Sequence, residues 1–214
     1  MKLYSYFRSS ASYRVRIALN CKGLAFETIP VHLLKAGGQQ LAPEFRSLNP
    51  DALVPVLDDN GEVLTQSLAI IEYLEETHPE PPLLPPAAAD RAFVRSIALA
   101  IACDIHPLNN LRVLRYLVKT LGVSEDQKNA WYRHWVEQGL ATLEARIVAA
   151  RHAGRYAFGD LVTLADITIV PQIFNAQRMD CDLQQAPTLM RIFENCMQLP
   201  AFIDAQPSAQ PDAE

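Results

Sequence analysis

The sequence predicts an α/β domain followed by an all-helical one, and three observations carry that prediction. Apolar alternation and helical periodicity follow in the order strand, helix, strand, then strand, strand, helix, over residues 3–74. Prolines at 79, 81, 82, 85 and 86 then interrupt all periodicity. Beyond them apolar residues recur every three or four positions, with few strand signals. The expected domains are residues 1–79 and 88–214, with 80–87 as a Pro-rich linker.

Composition narrows the function classes. The 214 residues are 50% hydrophobic and 20% charged, which describes a soluble globular protein with a sizeable core. The net charge of −5 comes without any basic block, which argues against a nucleic-acid partner. Cys21, Cys103, Cys181 and Cys196 are widely spaced. With no Cys-x-x-Cys pair, neither a zinc ribbon nor a dithiol redox site is expected, and no metal is assigned. No apolar run is long enough to span a bilayer and no signal segment precedes the first strand. The expected location is therefore cytoplasmic, with no membrane partner.

The elements follow in order. Residues 3–7, Leu-Tyr-Ser-Tyr-Phe, read as a first strand. A helix comes next, with Val15, Ile17, Ala18, Leu19 and Cys21 on its apolar face and Lys22-Gly23 at its end. Ser9 and Ser10 stand at the helix start. Hydroxyls there cap free backbone N–H groups, or donate to an anion held at the positive end of the helix. Residues 26–32 alternate as a second strand, and the βαβ order makes it parallel to the first. Residues 36–52 read as a loop with a short helix at 43–48. Residues 53–58 form a third strand, where Pro55 at the start suits a cis turn that exposes the preceding backbone. Asp59-Asn60-Gly61 is a hairpin signal leading to an antiparallel strand at Val63-Leu64. Gln66-Ser67 opens a helix with Leu68, Ile70, Ile71, Tyr73 and Leu74 on one face, and Ser67 is expected to cap it. Thr163-Leu164-Ala165-Asp166 has the spacing of a capping box. The polar tail, residues 207–214, is expected to fray.

The order βαβ, loop, ββα is the thioredoxin-like arrangement. With a Pro linker and a helical second domain, it is similar to the glutathione transferase fold. The run Ser9-Ser10-Ala11-Ser12-Tyr13-Arg14-Val15-Arg16-Ile17-Ala18-Leu19 resembles the zeta-class signature, with Ala11 where that signature usually has Cys. Leu53-Val54-Pro55 resembles the loop whose cis-proline presents the preceding residue to glutathione. Gln66-Ser67-Leu68-Ala69-Ile70-Ile71-Glu72-Tyr73-Leu74 resembles the γ-glutamyl-binding helix start. Pro107-Leu108-Asn109-Asn110-Leu111, Val170-Pro171-Gln172 and Asn175-Ala176-Gln177-Arg178 resemble the zeta pattern in the helical domain.

The resemblance implies a glutathione-dependent cis–trans isomerase acting on maleylacetoacetate or maleylpyruvate in aromatic catabolism. A thiolate adds to the alkene carbon, the resulting single bond rotates, and the thiolate leaves unconsumed. Ser9 and Ser10 are the catalytic candidates, because hydroxyls at a helix N-terminus stabilise a thiolate. Tyr4 and Tyr6 are rivals, ranked lower because they lie in the strand pattern. On the cofactor side the resemblance implies Val54 for the cysteinyl amide and Gln66 and Ser67 for the γ-glutamyl carboxylate. Gln40, His106 and Asn110 complete that set. Arg8, Arg112 and Arg178 are the candidates for a dicarboxylate substrate, since Arg pairs bidentately with carboxylates. The site would draw on both domains, in a homodimer. Two rival functions stand beside this one. One is a general transferase or dehalogenase that consumes glutathione; the other is a non-catalytic thioredoxin-like binding module.

Overall fold

The computed structural model describes residues 1–214. The chain folds as two compact units, Met1–Pro82 with Gln198–Glu214, and Leu83–Met197. The second unit was expected to run to residue 214. Instead the last seventeen residues, 198–214, return to the first unit. No helix is long and apolar enough to cross a membrane.

The first unit is built on a four-stranded sheet in the order β2-β1-β3-β4. Its strands are β1 (Lys2–Ser5), β2 (Glu27–Pro30), β3 (Val56–Asp59) and β4 (Glu62–Thr65). β1 is parallel to β2, with Leu3 opposite Thr28, and antiparallel to β3, with Leu3 opposite Leu57. The β3–β4 hairpin is antiparallel; Asn60 and Gly61 both have positive φ, at 55° and 99°, as a primed two-residue turn requires.

Three strands are shorter than the alternation suggests, for physical reasons. β2 was expected over 26–32 but spans Glu27–Pro30, the His32 N–H going to Gln39 Oε1 at 2.6 Å. β1 stops at Ser5 because the chain turns at once, the Ser9 N–H donating to the Tyr6 carbonyl at 2.9 Å. Tyr6 and Phe7 therefore leave the ladder and pack with Val31, Phe45, Val54 and Val56. β3 starts at Val56 because Pro55 has no N–H to give a ladder. The Val54–Pro55 peptide is cis, as the turn reading requires.

The helices α1 (Ser10–Cys21), α2 (Pro43–Leu48) and α3 (Ser67–Thr77) complete this unit with α9 (Pro200–Ile203). α1 packs against both α3 and α9. That explains why it is buried beyond its apolar stripe, with Arg14 and Arg16 each 1% exposed. The tail was expected to fray, and it is tied down. The Tyr13 hydroxyl donates to the Phe202 carbonyl at 3.3 Å, Asn20 Nδ2 to the Ala201 carbonyl at 3.0 Å, and the Phe7 N–H to Asp212 Oδ2 at 3.1 Å.

The second unit consists of α4 (Ala88–Leu99), a π turn and a 3₁₀ turn over residues 100–109, α5 (Leu111–Lys119), α6 (Glu125–Ala150), α7 (Leu164–Arg178) and α8 (Pro187–Cys196). The buried carboxylates Asp166 and Glu144 cap two of these helices. Asp166, fully buried, accepts from Ala157 N at 2.7 Å, Thr163 N at 2.8 Å and Thr163 Oγ1 at 2.9 Å. It forms the expected capping box at the start of α7. Glu144 accepts from Thr188 N and Leu189 N in the first turn of α8.

Burial pushes the Asp166 carboxyl up to about 6 against the pull of its donors. Between the ordinary value of 3.8 and about 6, the folded chain holds a proton that the unfolded chain has released. This group's contribution to stability therefore falls as pH rises through that window. Asp166→Asn is expected to remove that slope, read by denaturation at several pH values; an unchanged slope contradicts the assignment. Asp166→Ala also orphans the Ala157 and Thr163 donors. It is expected to lower stability by about 3 kcal/mol or more, at about 1–3 kcal/mol for each orphaned buried donor.

Candidate functional site

The candidate site starts at the N-terminus of α1. Ser9 is its N-cap, with extended backbone, and Ser9 Oγ accepts from Ser12 N at 3.2 Å. Capping uses an oxygen lone pair and leaves the hydroxyl proton available for donation. Capping and ligand donation by Ser9 are thus compatible. Ser10 is the first helical residue, with a buried side chain. The first turn of α1 contains no acidic residue of its own. Arg8 projects into solvent with its guanidinium 4.9 Å from the centre of the Phe7 ring. Ala11, next to the Ser pair, offers no reactive group.

A second helix start lies in the same unit. Ser67 was expected to cap α3, but the N-cap is Gln66. Ser67 is the first helical residue, and its Oγ accepts from buried Arg14 Nη1 at 3.4 Å. No side chain caps α3 and its first turn has no acid, so its leading N–H groups suit an anion. Gln66 adopts φ 68°, a conformation uncommon for a side-chain-bearing residue. Such strain collects at functional sites.

Val54, buried, precedes the cis-proline and lies just outside the β3 ladder. Gln40 is buried, and its Oε1 has no hydrogen-bond partner. Its amide folds over Gly38, where a Cβ would stand 2.8 Å from Nε2, and Gly38 has φ 114°. The neighbouring Gln39 is anchored, its Oε1 accepting from His32 N at 2.6 Å. The His32 ring in turn meets the Tyr6 ring edge-on at 4.9 Å. Tyr4 and Tyr6 pack among aromatic rings, Tyr4 against Phe45 and Tyr6 against Phe7 and His32.

The helical unit, taken by itself, holds the other four candidates. Asn110 caps α5, its Oδ1 accepting from Arg112 N at 3.1 Å, which leaves its NH2 for a ligand. Arg112 is exposed in the first turn of α5. Arg178 is exposed at the last turn of α7; burial pushes the Tyr132 hydroxyl up to about 12, partly offset by the Arg178 charge. His106 opens the 3₁₀ turn of residues 106–109. A cavity of about 230 Å³ in this unit, lined by Asp104, Ile105, Trp135 and Arg146 among others, includes none of the four. Burial pushes the Cys181 thiol up to about 11, which disfavours its thiolate.

Sequence reasoning missed the residues that support this set. Arg14 and Arg16 passed as signature residues, although two charges inside the apolar run 13–19 were a signal that they are buried and partnered. Asp212 gave no local signal. Because glycine adopts positive φ freely, Gln66→Gly is expected to release about 1–3 kcal/mol of strain. The entropy cost of glycine is about 0.5–1 kcal/mol, so the denaturation midpoint should rise. A lower midpoint contradicts the strain assignment.

Comparisons with known proteins bear on this geometry. The family description "glutathione S-transferase, N-terminal domain" matches residues 3–82. A protein of Vibrio cholerae named probable maleylacetoacetate isomerase is 52% identical over 212 residues, 99% of this chain and 97% of that one. A bacterial maleylpyruvate isomerase of the zeta class, solved in a holo form, superposes with a TM-score of 0.97 at 47% identity over 100% of both chains. A maleylacetoacetate isomerase of Methylobacterium extorquens AM1, solved with bound malonate and glutathione, has a TM-score of 0.96 at 40% identity, again over 100% of both chains.

Proposed function

The chain belongs to the zeta class of the glutathione S-transferases, and on that premise we propose that it is a glutathione-dependent isomerase converting maleylacetoacetate to fumarylacetoacetate in aromatic catabolism. The observation that carries this reading is the α1 N-terminus, with no acid in its first turn and a Ser9 hydroxyl proton still to donate. The first unit also fits glutathione on its own terms. It has the uncapped α3 start for the γ-glutamyl carboxylate, the orphaned Gln40 Oε1 for an N–H donor, and Val54 beside its cis-proline for the cysteinyl amide.

Glutathione, when bound, supplies a thiol that adds to the substrate double bond, allows rotation and is regenerated. The protein's task is to keep that sulfur anionic and to hold the substrate. The Ser9 hydroxyl would donate a hydrogen bond to the sulfur, and the α1 dipole and the buried Ser10 beside it would favour the anion. Gln66 and Ser67 would hold the cofactor's carboxylate; His106 and Asn110, in the helical unit, remain its cofactor candidates. Arg8, Arg112 and Arg178 pair with the two substrate carboxylates and balance negative charge as it develops.

Maleylpyruvate is a second substrate reading, supported by the likeness to a maleylpyruvate isomerase. We infer a homodimer acting in the cytoplasm. The dimer is supported by the class resemblance.

The reading is tested by following a maleyl substrate and free thiol together. Turnover should require glutathione while the thiol concentration stays constant; thiol lost in step with product means conjugation instead. A variant without its four cysteines should keep its activity if it folds, and collapse in folded protein would implicate an enzyme thiol. Arg178→Ala should raise KM for the substrate by roughly ten- to a hundredfold, the loss of about 1.5–3 kcal/mol expected for one charge-assisted hydrogen bond. Its KM for glutathione should not move, and an unchanged substrate KM would remove Arg178 from this role.

A further inference from the structure

Phe7, two residues before Ser9, has both backbone polar groups held by charged side chains, one from α1 and one from the far end of the chain. Its N–H donates to Asp212 Oδ2 at 3.1 Å, across 205 positions of chain. Its carbonyl accepts from Arg16 Nη2 at 3.0 Å. The other donors of that buried guanidinium go to Ser5 Oγ at 3.0 Å and to the Ala205 carbonyl at 2.9 Å. The turn itself closes when Ser9 N donates to the Tyr6 carbonyl. The peptide that delivers Ser9 to the start of α1 is therefore fixed from the strand, from the helix and from the C-terminal segment.

We propose that Asp212 is a positioning residue for Ser9, its carboxylate holding the Phe7 N–H so that the turn presents the Ser9 hydroxyl and the first N–H groups of α1 to the bound sulfur. This rests on the isomerase reading of Ser9. Two physical points support it. The Phe7 side chain is buried, and without Asp212 its N–H would lose the acceptor the fold provides. Burial pushes Arg16 down to about 10, which still leaves it charged at neutral pH, and Asp212 favours that charged form. Glu214, in the same tail, pairs with exposed Lys35 and stands 3.5 Å from His32 Nε2, and not with the Phe7 peptide. The two tail carboxylates thus differ in what they touch, and Glu214 serves as a control.

The test compares Asp212→Ala, Asp212→Asn and Glu214→Ala in the full chain. It reads kcat/KM for glutathione as a function of pH, amide exchange at Phe7 and Ser12, and the melting temperature. Asp212→Ala should lower kcat/KM by on the order of tenfold or more, as small misplacements of a reacting group do. Its acid limb should move to higher pH, and exchange at Phe7 and Ser12 should quicken while the melting transition is retained. Asp212→Asn keeps an acceptor for Phe7 and should stay close to wild type, as should Glu214→Ala. An Asp212→Ala enzyme with the wild-type pH profile overturns the proposal. So does an Asn variant that falls as far as the Ala variant, or a loss of activity that only follows loss of folded protein. Wild-type protein that turns over no maleyl substrate overturns the isomerase reading itself, and the proposal with it.

Discussion

Arg16 holds the first unit's functional end together. Its guanidinium lies in the interior and donates to Ser5 on the central strand, to Phe7 in the turn and to Ala205 in the returning tail. A buried charge is costly unless its donors are satisfied and an opposite charge is near, and removal of one partner is more disruptive than absence of the whole set. The strand end, the turn and the tail are therefore constrained as one group. Where α1 begins, and which way its first N–H groups point, follows from that constraint.

Chemistry at the turn depends on what the sequence omits as much as on what it includes. No acid in the first turn of α1 or α3 competes for the positive helix ends. Ala11 carries no thiol, and the cysteines lie elsewhere in the chain. Ser9 combines a structural and a chemical role because a hydroxyl accepts and donates at once. Gln66 shows the opposite economy: its backbone is strained, and its side chain is left in solvent where a ligand can meet it.

Much of this was legible in the sequence because the signals were local. The βαβ unit, the Asn60-Gly61 hairpin, the short helix at 43–48, the cis-proline turn and the Thr163–Asp166 capping box each depend on residues a few positions apart. Ser9 was legible for the same reason. What was missed depends on distant contacts. The polar tail looked free because no local pattern announces that Asp212 meets Phe7 or that residues 198–214 rejoin the first unit. Ser67 looked like a cap because hydroxyls favour that place, yet Arg14 engages it and the strained Gln66 takes the cap position. Strand ends were overextended because Tyr6 and Phe7 are apolar whether they stand in a ladder or in the core beside it.

The central claim is that the α1 N-terminus and the Ser9 hydroxyl keep a bound sulfur anionic. The direct measurement is a spectrophotometric titration of glutathione on the protein, followed through the ultraviolet absorbance of its thiolate, for wild type and for folded Ser9→Ala. The account predicts that the bound thiol ionises at least about one pH unit below the value of about 8.5 usual for a free cysteine thiol, and that Ser9→Ala moves it back toward that value. A bound thiol that titrates as it does in free solution, or one that Ser9→Ala leaves unchanged, would contradict it.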